Sequence, residues 1–443
     1  MHWIRLSNWI SCDRTTCRRR LSLLIAAMMT AAMATGKEPA STGDGVATES
    51  PGTKMHDDTA DAPGTGGEDA RGPLQSNGSF AKLWNRQWFI GPRVFTLTEP
   101  LTVEGRRLPA DFEPHRAVVL GAGWLAREAP EALAEMVLRM KPRRLLVLLV
   151  SSSDERDAVV GALTRYDVPP ETVRFLTVPT DTGWVRDFGP IFVREAGGAV
   201  RAVDASYGGP KRRRDDKASR IIAEQFGAAT TTTPQQWEGG NLLSNGQGLL
   251  VTTTQSINEN IARGYDLDTV TGFLKELFGA TQVVVLEHLV GEPTAHVDVF
   301  ACFTGPGTIV VGHYDASADP QNAAVLDRNA ARLAEVRTRG GMLNVVRIPM
   351  PSNEDGAWRS FANVVFANGT LLVPVYPQTD AAAGKEALAI YRRLLPEWNV
   401  VGVDAGNMAR HQGGLRCVTL YVPEVEALQH DRTARGSAPD TEP

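Results

Sequence analysis

The chain has 443 residues and a net charge of -5, and 42% of its residues are hydrophobic while 22% are charged. This composition allows a sizeable buried core in one large domain or in several smaller ones, and it excludes wholesale disorder. The small acidic excess argues against a dedicated nucleic-acid-binding protein, which would carry a basic surface.

The N-terminal segment has the pattern of a secretory signal. Three arginines at 18–20 precede the uncharged run 21–34, which ends in small residues around Met33. A basic flank, a short apolar core and small residues at a cleavage site are typical of such signals. The run is shorter than the roughly 20 residues of a membrane-spanning helix. We therefore expect residues 1–34 to be a signal peptide, the protein to be exported to the periplasm or the medium, and no stable membrane insertion after cleavage.

Residues 35–80 contain mainly Gly, Ser, Thr, Pro, Ala and acids, with almost no large apolar side chains. Such a segment cannot bury enough surface to offset its ordering entropy, so it is expected to be a disordered leader. The sequence then predicts one catalytic domain over 81–430 and a flexible polar tail over 431–443.

Short apolar runs alternate with amphipathic stretches through this domain, which favours an α/β fold. Strands are predicted at 144–151, 173–178, 191–193, 249–252, 281–286, 308–312, 342–348, 370–375 and 400–403, and helices at 130–140, 154–166, 218–227, 268–278, 322–338 and 381–395. No glycine-rich phosphate loop joins a strand to a helix, so a nucleotide-binding fold is not indicated. Asn368-Gly369 predicts a two-residue hairpin turn.

Five polar residues recur along the domain at intervals of roughly 50 to 70 residues, long enough for one strand–helix unit per step. They are Asp187, Glu238, His296, Asn363 and Cys417. The spacing suggests a ring of similar units, each of which projects one polar group toward a common centre.

Cys417 is a candidate nucleophile. Only Cys302 and Cys417 remain beyond the presumed signal, and their separation fits neither a disulfide framework nor a zinc motif. Cys417 lies at the predicted entrance to a strand, after Gly413-Gly414. The neighbouring Arg416 could lower the pKa of the thiol, although strand alternation points it to the opposite face. The alternative is a buried, inert cysteine.

His296 and Asp298 are candidates for proton transfer and for binding positive charge. Alternation predicted over 295–303 places them on one strand face with Phe300 and Cys302. A His-Asp pair could also be half of a metal site, but no further cluster of ligand residues completes it, so no metal or cofactor is indicated. A histidine with only a structural role is the other alternative.

Two more acids complete the candidate site. Asp187 follows Arg186, and Trp184 offers a face on which a planar cation could stack. Pairing of Asp187 with Arg186 is the competing interpretation. Glu238 precedes a Gly-Gly pair, where backbones can approach closely, and it could instead be a hydrated acid in a turn.

A nucleophile, an imidazole and three carboxylates together suit a guanidinium group. Carboxylates pair with its N–H fork in bidentate geometry. Breaking a resonance-stabilised C–N bond needs a strong nucleophile and protonation of the departing amine, which Cys and His supply. The sequence thus predicts a hydrolase that converts a guanidino group into a ureido group and ammonia.

The chain resembles the agmatine deiminase and bacterial, Porphyromonas-type peptidyl-arginine deiminase family. The resemblance rests on six strings in order: LPADFEPHRAVVLGAGW, WVRDFGP, WEGGN, HVDVFACF, SFANVVFANGTLLVPVY and GGLRCVT. It implies the pentein fold, a five-bladed pseudo-symmetric α/β propeller of ββαβ-like units around a central active-site channel.

The resemblance also implies roles for single residues. Cys417 matches the nucleophile, which forms a covalent thiouronium intermediate with the substrate. His296 matches the general acid/base. Asp187 and Asp298 match the carboxylates that hold the guanidinium. The remaining matches are Glu238 to the acid that orients the histidine, Asn363 to a polar lining residue and Cys302 to a core position.

The chain departs from the family pattern at three places. Arg416 replaces a common histidine, and Ala295 a frequent glycine. In region 204–216, where peptidyl-type relatives use arginines to hold a terminal carboxylate, Gly209 and Lys211 stand instead. Lys211, within the basic run Lys211–Arg214, could still supply such a substrate contact, or the run could be a solvated charged loop.

The expected partner is a small-molecule or peptide guanidino substrate, either peptidyl-arginine, agmatine or free arginine. Export favours an arginine in a peptide or an external guanidine. An amidinotransferase, a non-catalytic pentein binding protein and a cysteine protease are the alternative functions. The sequence leaves the oligomeric state open.

Overall fold

The protein is described by a computed structural model that covers residues 90–97, 105–140, 145–208 and 211–424. All of these residues fall in one compact unit, Gln75–Pro443. The expected signal at 1–34, the leader at 35–80 and the tail at 431–443 lie outside the described residues, as does Gly209.

Nineteen strands are described, including several very short ones. In chain order they are β1 Arg93–Thr96, β2 His115–Gly121, β3 Leu145–Val150, β4 Arg174–Thr177, β5 Ile191–Arg194, β6 Val200–Ser206, β7 Ala229–Gln236, β8 Leu243–Ser244, β9 Leu249–Thr253, β10 Gln282–Leu286, β11 Ala301–Gly305, β12 Thr308–His313, β13 Arg337–Thr338, β14 Gly341–Met342, β15 Asn344–Pro349, β16 Val365–Phe366, β17 Thr370–Val375, β18 Asn399–Asp404 and β19 Thr419–Pro423.

Ten α-helices connect these strands in the described part of the chain. They are α1 Ala122–Glu128, α2 Pro130–Met140, α3 Ser153–Arg165, α4 Val185–Phe188, α5 Asp215–Gln225, α6 Thr254–Ala262, α7 Leu267–Phe278, α8 Pro320–Ala334, α9 Ala381–Leu394 and α10 Gly406–Arg410. Short 3₁₀ turns occur at Gly239–Asn241 and Val297–Val299, among other places.

The main sheets repeat one local topology. In each, a short first strand pairs antiparallel with a second strand, which pairs parallel with a third after a helical crossover. The five sets are β19-β2-β3, β5-β6-β7, β8-β9-β10, β11-β12-β15 and β16-β17-β18. Two of the sheets gain an edge strand, β4 beside β3 and β1 beside β10. A mixed α/β fold is thereby confirmed.

Helix α8 illustrates how the crossovers are held. Its cap residue, Asp319, accepts a hydrogen bond from the Asn322 N–H, which satisfies one free donor of the first turn. Leu326, Ala330 and Leu333 recur at helical spacing and are all buried against the sheet. Full burial of a leucine side chain stabilises by about 2 kcal/mol, so this face fixes the crossover.

The predicted elements are confirmed with shifted ends. Helix 322–338 was predicted too long, because the chain leaves the helix after Ala334 and Arg337–Thr338 forms a strand. The polar strand β7, with its run of four threonines, had no prediction, nor did helix α6. The hairpin is confirmed: Asn368 and Gly369 have φ of 46° and 91°, the left-handed values that a type I′ turn requires.

No helix in the described residues has the length and hydrophobicity needed to cross a membrane.

Candidate active site

The candidate residues share one position in the repeated topology. Each lies in the segment that leads into the short first strand of a sheet: Asp187 before β5, Glu238 before β8, His296 before β11, Asn363 before β16 and Cys417 before β19. The near-regular spacing in sequence reflects this arrangement. A residue just outside a strand keeps its side chain free of the ladder while the sheet fixes its backbone.

Asp187, Glu238 and His296 form what we call the proton-transfer cluster. His296 Nε2 lies 2.7 Å from Glu238 Oε2, and Nδ1 lies 3.7 Å from Asp187 Oδ1. Asp187 Oδ1 also accepts a hydrogen bond of 2.9 Å from the Gly240 N–H. The imidazole is therefore held between two carboxylates.

Gly240 leaves no room for a side chain. A Cβ there would lie 2.5 Å from both Asp187 Oδ1 and His296 Nδ1, closer than real Cβ contacts come. Bare backbone is what lets the Gly240 N–H reach the carboxylate, which explains the glycine after Gly239.

The protonation of the cluster follows from its surroundings. Burial disfavours charge on His296, but the carboxylates of Asp187 and Glu238 outweigh it and raise the pKa of the imidazole to about 10. Burial raises the pKa of Asp187 to about 7. Burial also opposes charge on Glu238, but its hydrogen bond with His296 lowers the pKa of this carboxyl. These surroundings favour the protonated form of the His296 imidazole at neutral pH.

Cys417 is joined to the rest of the site through Asn363. The Gly414 N–H points at Cys417 Sγ at 3.4 Å, and Sγ lies 3.7 Å from Asn363 Oδ1. The Asn363 amide donates to the backbone carbonyl of Asp298 at 3.3 Å. The thiol is partly exposed, as attack on a substrate requires. Burial, then the charges of Asp298 and Asp187, raise its pKa well above the usual value.

Asp111, Asp298 and Arg416 form what we call the charge-pair cluster. Arg416 is 2% exposed and Asp298 0%. Arg416 Nη1 donates to Asp298 Oδ2 at 2.8 Å, and Nε donates to Asp111 Oδ2 at 2.7 Å. Asp298 Oδ1 is buried and has no hydrogen-bond partner among the described residues.

Trp184 forms one wall beside the nucleophile. Its ring lies against Gly413, where a Cβ would come within 2.4 Å of the indole. Trp124 packs beside it with ring centroids 4.6 Å apart, and the ring of His411 meets Trp124 edge-on at 5.5 Å. These rings supply an apolar surface that continues outward from Cys417.

Lys211 is exposed, and its assignment as a substrate-binding residue stays a prediction. The next residue, Arg212, stands nearer the chemistry. It donates to the Tyr207 hydroxyl at 3.0 Å, stacks on that ring, and its charge contributes to the lowered pKa of Glu238. Tyr207 carried no signal in the sequence that would have marked it.

The single strand face predicted over 295–303 is wrong. Ala295 has a φ of 55°, Val297–Val299 form a 3₁₀ turn, and the strand begins only at Ala301. Period-2 alternation holds only for extended backbone, so the shared orientation inferred for His296 and Asp298 does not apply. The turn directs Asp298 to Arg416 and His296 to Glu238.

Pairing of Asp187 with Arg186 is not found. The Arg186 guanidinium stacks on Tyr421 at 4.6 Å, and its Nη1 lies 3.9 Å from Asp111 Oδ1. Cys302 is buried against the Tyr391 hydroxyl at 3.3 Å. Burial raises the pKa of Cys302 to about 12, and the pKa of Cys417 is raised as well, so position distinguishes the two thiols. Cys302 lies in the core, whereas Cys417 Sγ lies beside Asn363 in the site.

The ligand atoms of Asp187, Glu238 and His296 lie within 4.8 Å of one another, a spacing that could hold a metal ion. The carboxylates of this cluster favour positive charge between them, and they raise the pKa of His296 to about 10 against the effect of burial.

Residues 107–423 match the family model of Porphyromonas-type peptidyl-arginine deiminases. An agmatine deiminase of Stutzerimonas stutzeri is 27% identical over 373 residues, which cover 74% of this chain and 98% of the relative.

Two solved structures share the fold. A structure from Porphyromonas gingivalis, described as a candidate arginine deiminase, superposes with a TM-score of 0.64 at 26% identity, covering 72% of this chain and 98% of the other. The agmatine deiminase of Enterococcus faecalis superposes with a TM-score of 0.63 at 22% identity, covering 72% and 96%.

Proposed function

Since the chain belongs to the Porphyromonas-type peptidyl-arginine deiminase family, we propose that it hydrolyses a guanidino group to a ureido group and ammonia, with Cys417 as the nucleophile. One observation carries the proposal most directly. A partly exposed thiol, two carboxylates whose charges act on it, and an imidazolium between two acids occupy one site.

Substrate binding is the first step. Asp187 and the free Oδ1 of Asp298 are acceptors for the N–H groups of a planar guanidinium, and Trp184 offers its face to the attached alkyl chain. The bound cation offsets the two negative charges that raise the pKa of Cys417. Substrate binding thus favours the thiolate, which is the nucleophilic form.

In the second step the Cys417 thiolate adds to the central carbon of the guanidinium. One C–N bond then breaks as His296 gives its proton to the departing nitrogen, which leaves as ammonia. The product on the enzyme is an S-alkylthiouronium. Glu238 holds His296 by a short hydrogen bond and favours its protonated form.

In the third step the neutral His296 removes a proton from water, and the resulting hydroxide adds to the thiouronium carbon. The C–S bond breaks, the thiolate is restored, and the proton of the added hydroxyl passes to solvent as the neutral ureido product leaves. Over the cycle one water is consumed, and one ammonia and one proton are released for each guanidinium.

Replacement of each cysteine in turn tests the proposal. Cys417→Ala should abolish ammonia release while the circular dichroism spectrum and the melting temperature stay close to wild type. Cys302→Ser is the matched control and should keep most of the activity, because Cys302 lies in the core beside Tyr391. An active Cys417→Ala variant would overturn the assignment.

A panel of agmatine, free arginine and peptides with terminal or internal arginine identifies the substrate, with both ureido product and ammonia measured. Casein separates a deiminase from a protease. Ammonia release without any added amine acceptor separates it from an amidinotransferase. If no guanidino compound is turned over, the deiminase proposal fails.

We also propose that the five similar sheets are the blades of a closed five-bladed propeller. The repeated strand order and the common position of the five polar residues support a ring. Contacts of β5 with β19 and of β8 with β11 join neighbouring sheets. A crystal structure in which the sheet β16-β17-β18 does not contact the sheet β19-β2-β3 would contradict the closed ring.

Export remains part of the proposal, on the strength of the basic flank and short apolar run at 18–34. Cell fractionation of the full chain, with N-terminal sequencing of the mature form, tests it. Export would favour arginine in peptides or other external guanidines as substrate. A protein found uncleaved in the cytosol would instead favour agmatine.

A further inference from the structure

Arg416, the residue before the proposed nucleophile, is held on several sides. Besides its two ion pairs, its guanidinium donates to the backbone carbonyls of Gly239 at 3.2 Å and Leu242 at 3.4 Å. Its own backbone N–H donates to Asn363 Oδ1 at 2.8 Å. One buried side chain therefore ties the turn after Glu238 and the carboxylate of Asp298 to the segment of Cys417.

The geometry of Asp298 depends on this contact. Oδ2 is engaged by Arg416, whereas Oδ1 has no partner among the described residues and is fully buried. A carboxylate with no exposed surface would be strongly disfavoured in its charged form without a nearby cation. Arg416 supplies that cation and fixes which oxygen remains free.

We propose that Arg416 is a positioning residue that holds Asp298 by its Oδ2 and so presents its Oδ1 to the guanidinium of the substrate. This inference rests on the proposed function. It explains why a permanently charged, forked side chain precedes Cys417. A guanidinium stays charged at any physiological pH and can contact Asp111, Asp298 and two carbonyls together.

Five charged or titratable groups interact electrostatically with Asp298. They are Arg186, Asp187, His296, Arg416 and Cys417. Of these, Arg416 alone makes a hydrogen-bonded ion pair with Asp298 among the described residues. Its removal should therefore disturb the orientation of this carboxylate more than any other single replacement among these groups.

The test compares Arg416→Gln with Arg416→Lys on the best guanidino substrate of the panel, with KM and kcat measured separately. In Arg416→Gln, Asp298 loses the charged donor that engages Oδ2, so Oδ1 is no longer held toward the substrate. KM should rise by about tenfold or more, while kcat changes much less. Arg416→Lys keeps the charge but not the fork, so KM should rise by only a few fold.

Arg106→Gln is the matched control, since Arg106 is also an ion-paired, largely buried arginine but contacts Glu195 and the carbonyl of Glu276. It should leave KM and kcat unchanged. A folded Arg416→Gln protein with wild-type KM would overturn the inference, as would an equal rise of KM in the Gln and Lys variants.

If Arg416→Gln does not fold, Arg416→Lys decides alone: a raised KM with kcat within about threefold supports positioning, and an unchanged KM refutes it. Failure of the deiminase proposal looks different, because the wild-type protein would then release no ammonia from any member of the panel.

Discussion

The two charged clusters of the site differ in whether their members can change protonation. In the proton-transfer cluster, the pKa values of His296 and Asp187 are both moved toward or beyond neutrality, so protons can be exchanged during turnover. In the charge-pair cluster, the cation is an arginine, whose pKa is raised further by Asp111 and Asp298 against the effect of burial. In the proposed mechanism, the proton-transfer cluster moves protons and the charge-pair cluster fixes geometry. The two tasks are assigned to separate groups, although both clusters meet the same substrate.

The largest expected effect comes from removing the proton donor. His296→Asn should lower kcat by about 10³-fold or more, because the departing nitrogen would leave unprotonated. Steady-state kinetics with ammonia detection measures the loss. The Asp187 and Glu238 carboxylates would then lose their cation, so the melting temperature should be recorded as a control. Activity within tenfold of wild type would show that another group donates the proton.

Glu238→Gln should act through His296. The Glu238 carboxylate raises the pKa of the imidazole, so its loss lowers that pKa and the protonated donor disappears at a lower pH. The alkaline limb of the kcat/KM profile should move down by about one pH unit or more, with activity near the optimum reduced by about 100-fold. An unshifted alkaline limb would separate Glu238 from the titration of His296.

Asp111→Asn, in the charge-pair cluster, should lower the stability of the protein and leave the pH profile of its activity nearly unchanged. The amide keeps the shape of the side chain but removes one partner of the buried Arg416, so the free energy of unfolding should fall by about 2 kcal/mol. Arg416 retains its bond to Asp298, and the limbs of the pH profile should therefore stay within a few tenths of a unit. Urea unfolding and the pH dependence of kcat/KM provide the two measurements. A large shift of either limb would mean that the two clusters are not separate.

Ala295→Gly should have the smallest effect. Ala295 adopts a left-handed φ of 55° just before His296, which costs a residue with a Cβ about 1 kcal/mol. Glycine relieves this strain but adds a similar entropy to the unfolded chain. The stability should therefore change by less than about 1 kcal/mol, with kcat unchanged. A loss of activity would show that the strain itself holds the imidazole in place.

The sequence predicts the local elements of the fold well where apolar residues recur with a clear period, as in α2 and β17. Strand β7 was not predicted, because its threonines and glutamines show no apolar alternation. Its position is fixed by parallel pairing with β6. The contacts between neighbouring sheets, such as that of β5 with β19, join residues far apart in the chain, and local patterns do not encode them.

The candidate site divides in a similar way. Cys417, Glu238 and Asp187 could be singled out because each is a reactive side chain within three residues of a glycine, and His296 because a carboxylate follows it two residues later. The partnership of Arg416 with Asp111 was not predicted, because it joins residues 305 positions apart. Tyr207 was missed because a single aromatic ring carries no special signal, and the basic run Lys211–Arg214 did not show that Arg212 is the member that contacts it.

The bare backbone at Gly240 limits how the enzyme could be redesigned. Even the smallest side chain there would collide with Asp187 and His296 at once, so mutagenesis libraries aimed at new substrates gain nothing from varying this position. The surface formed by Trp184 and Trp124, in contrast, is a suitable place for substitutions. Diversity introduced along that surface could reshape which molecule is accepted while the reactive centre stays intact.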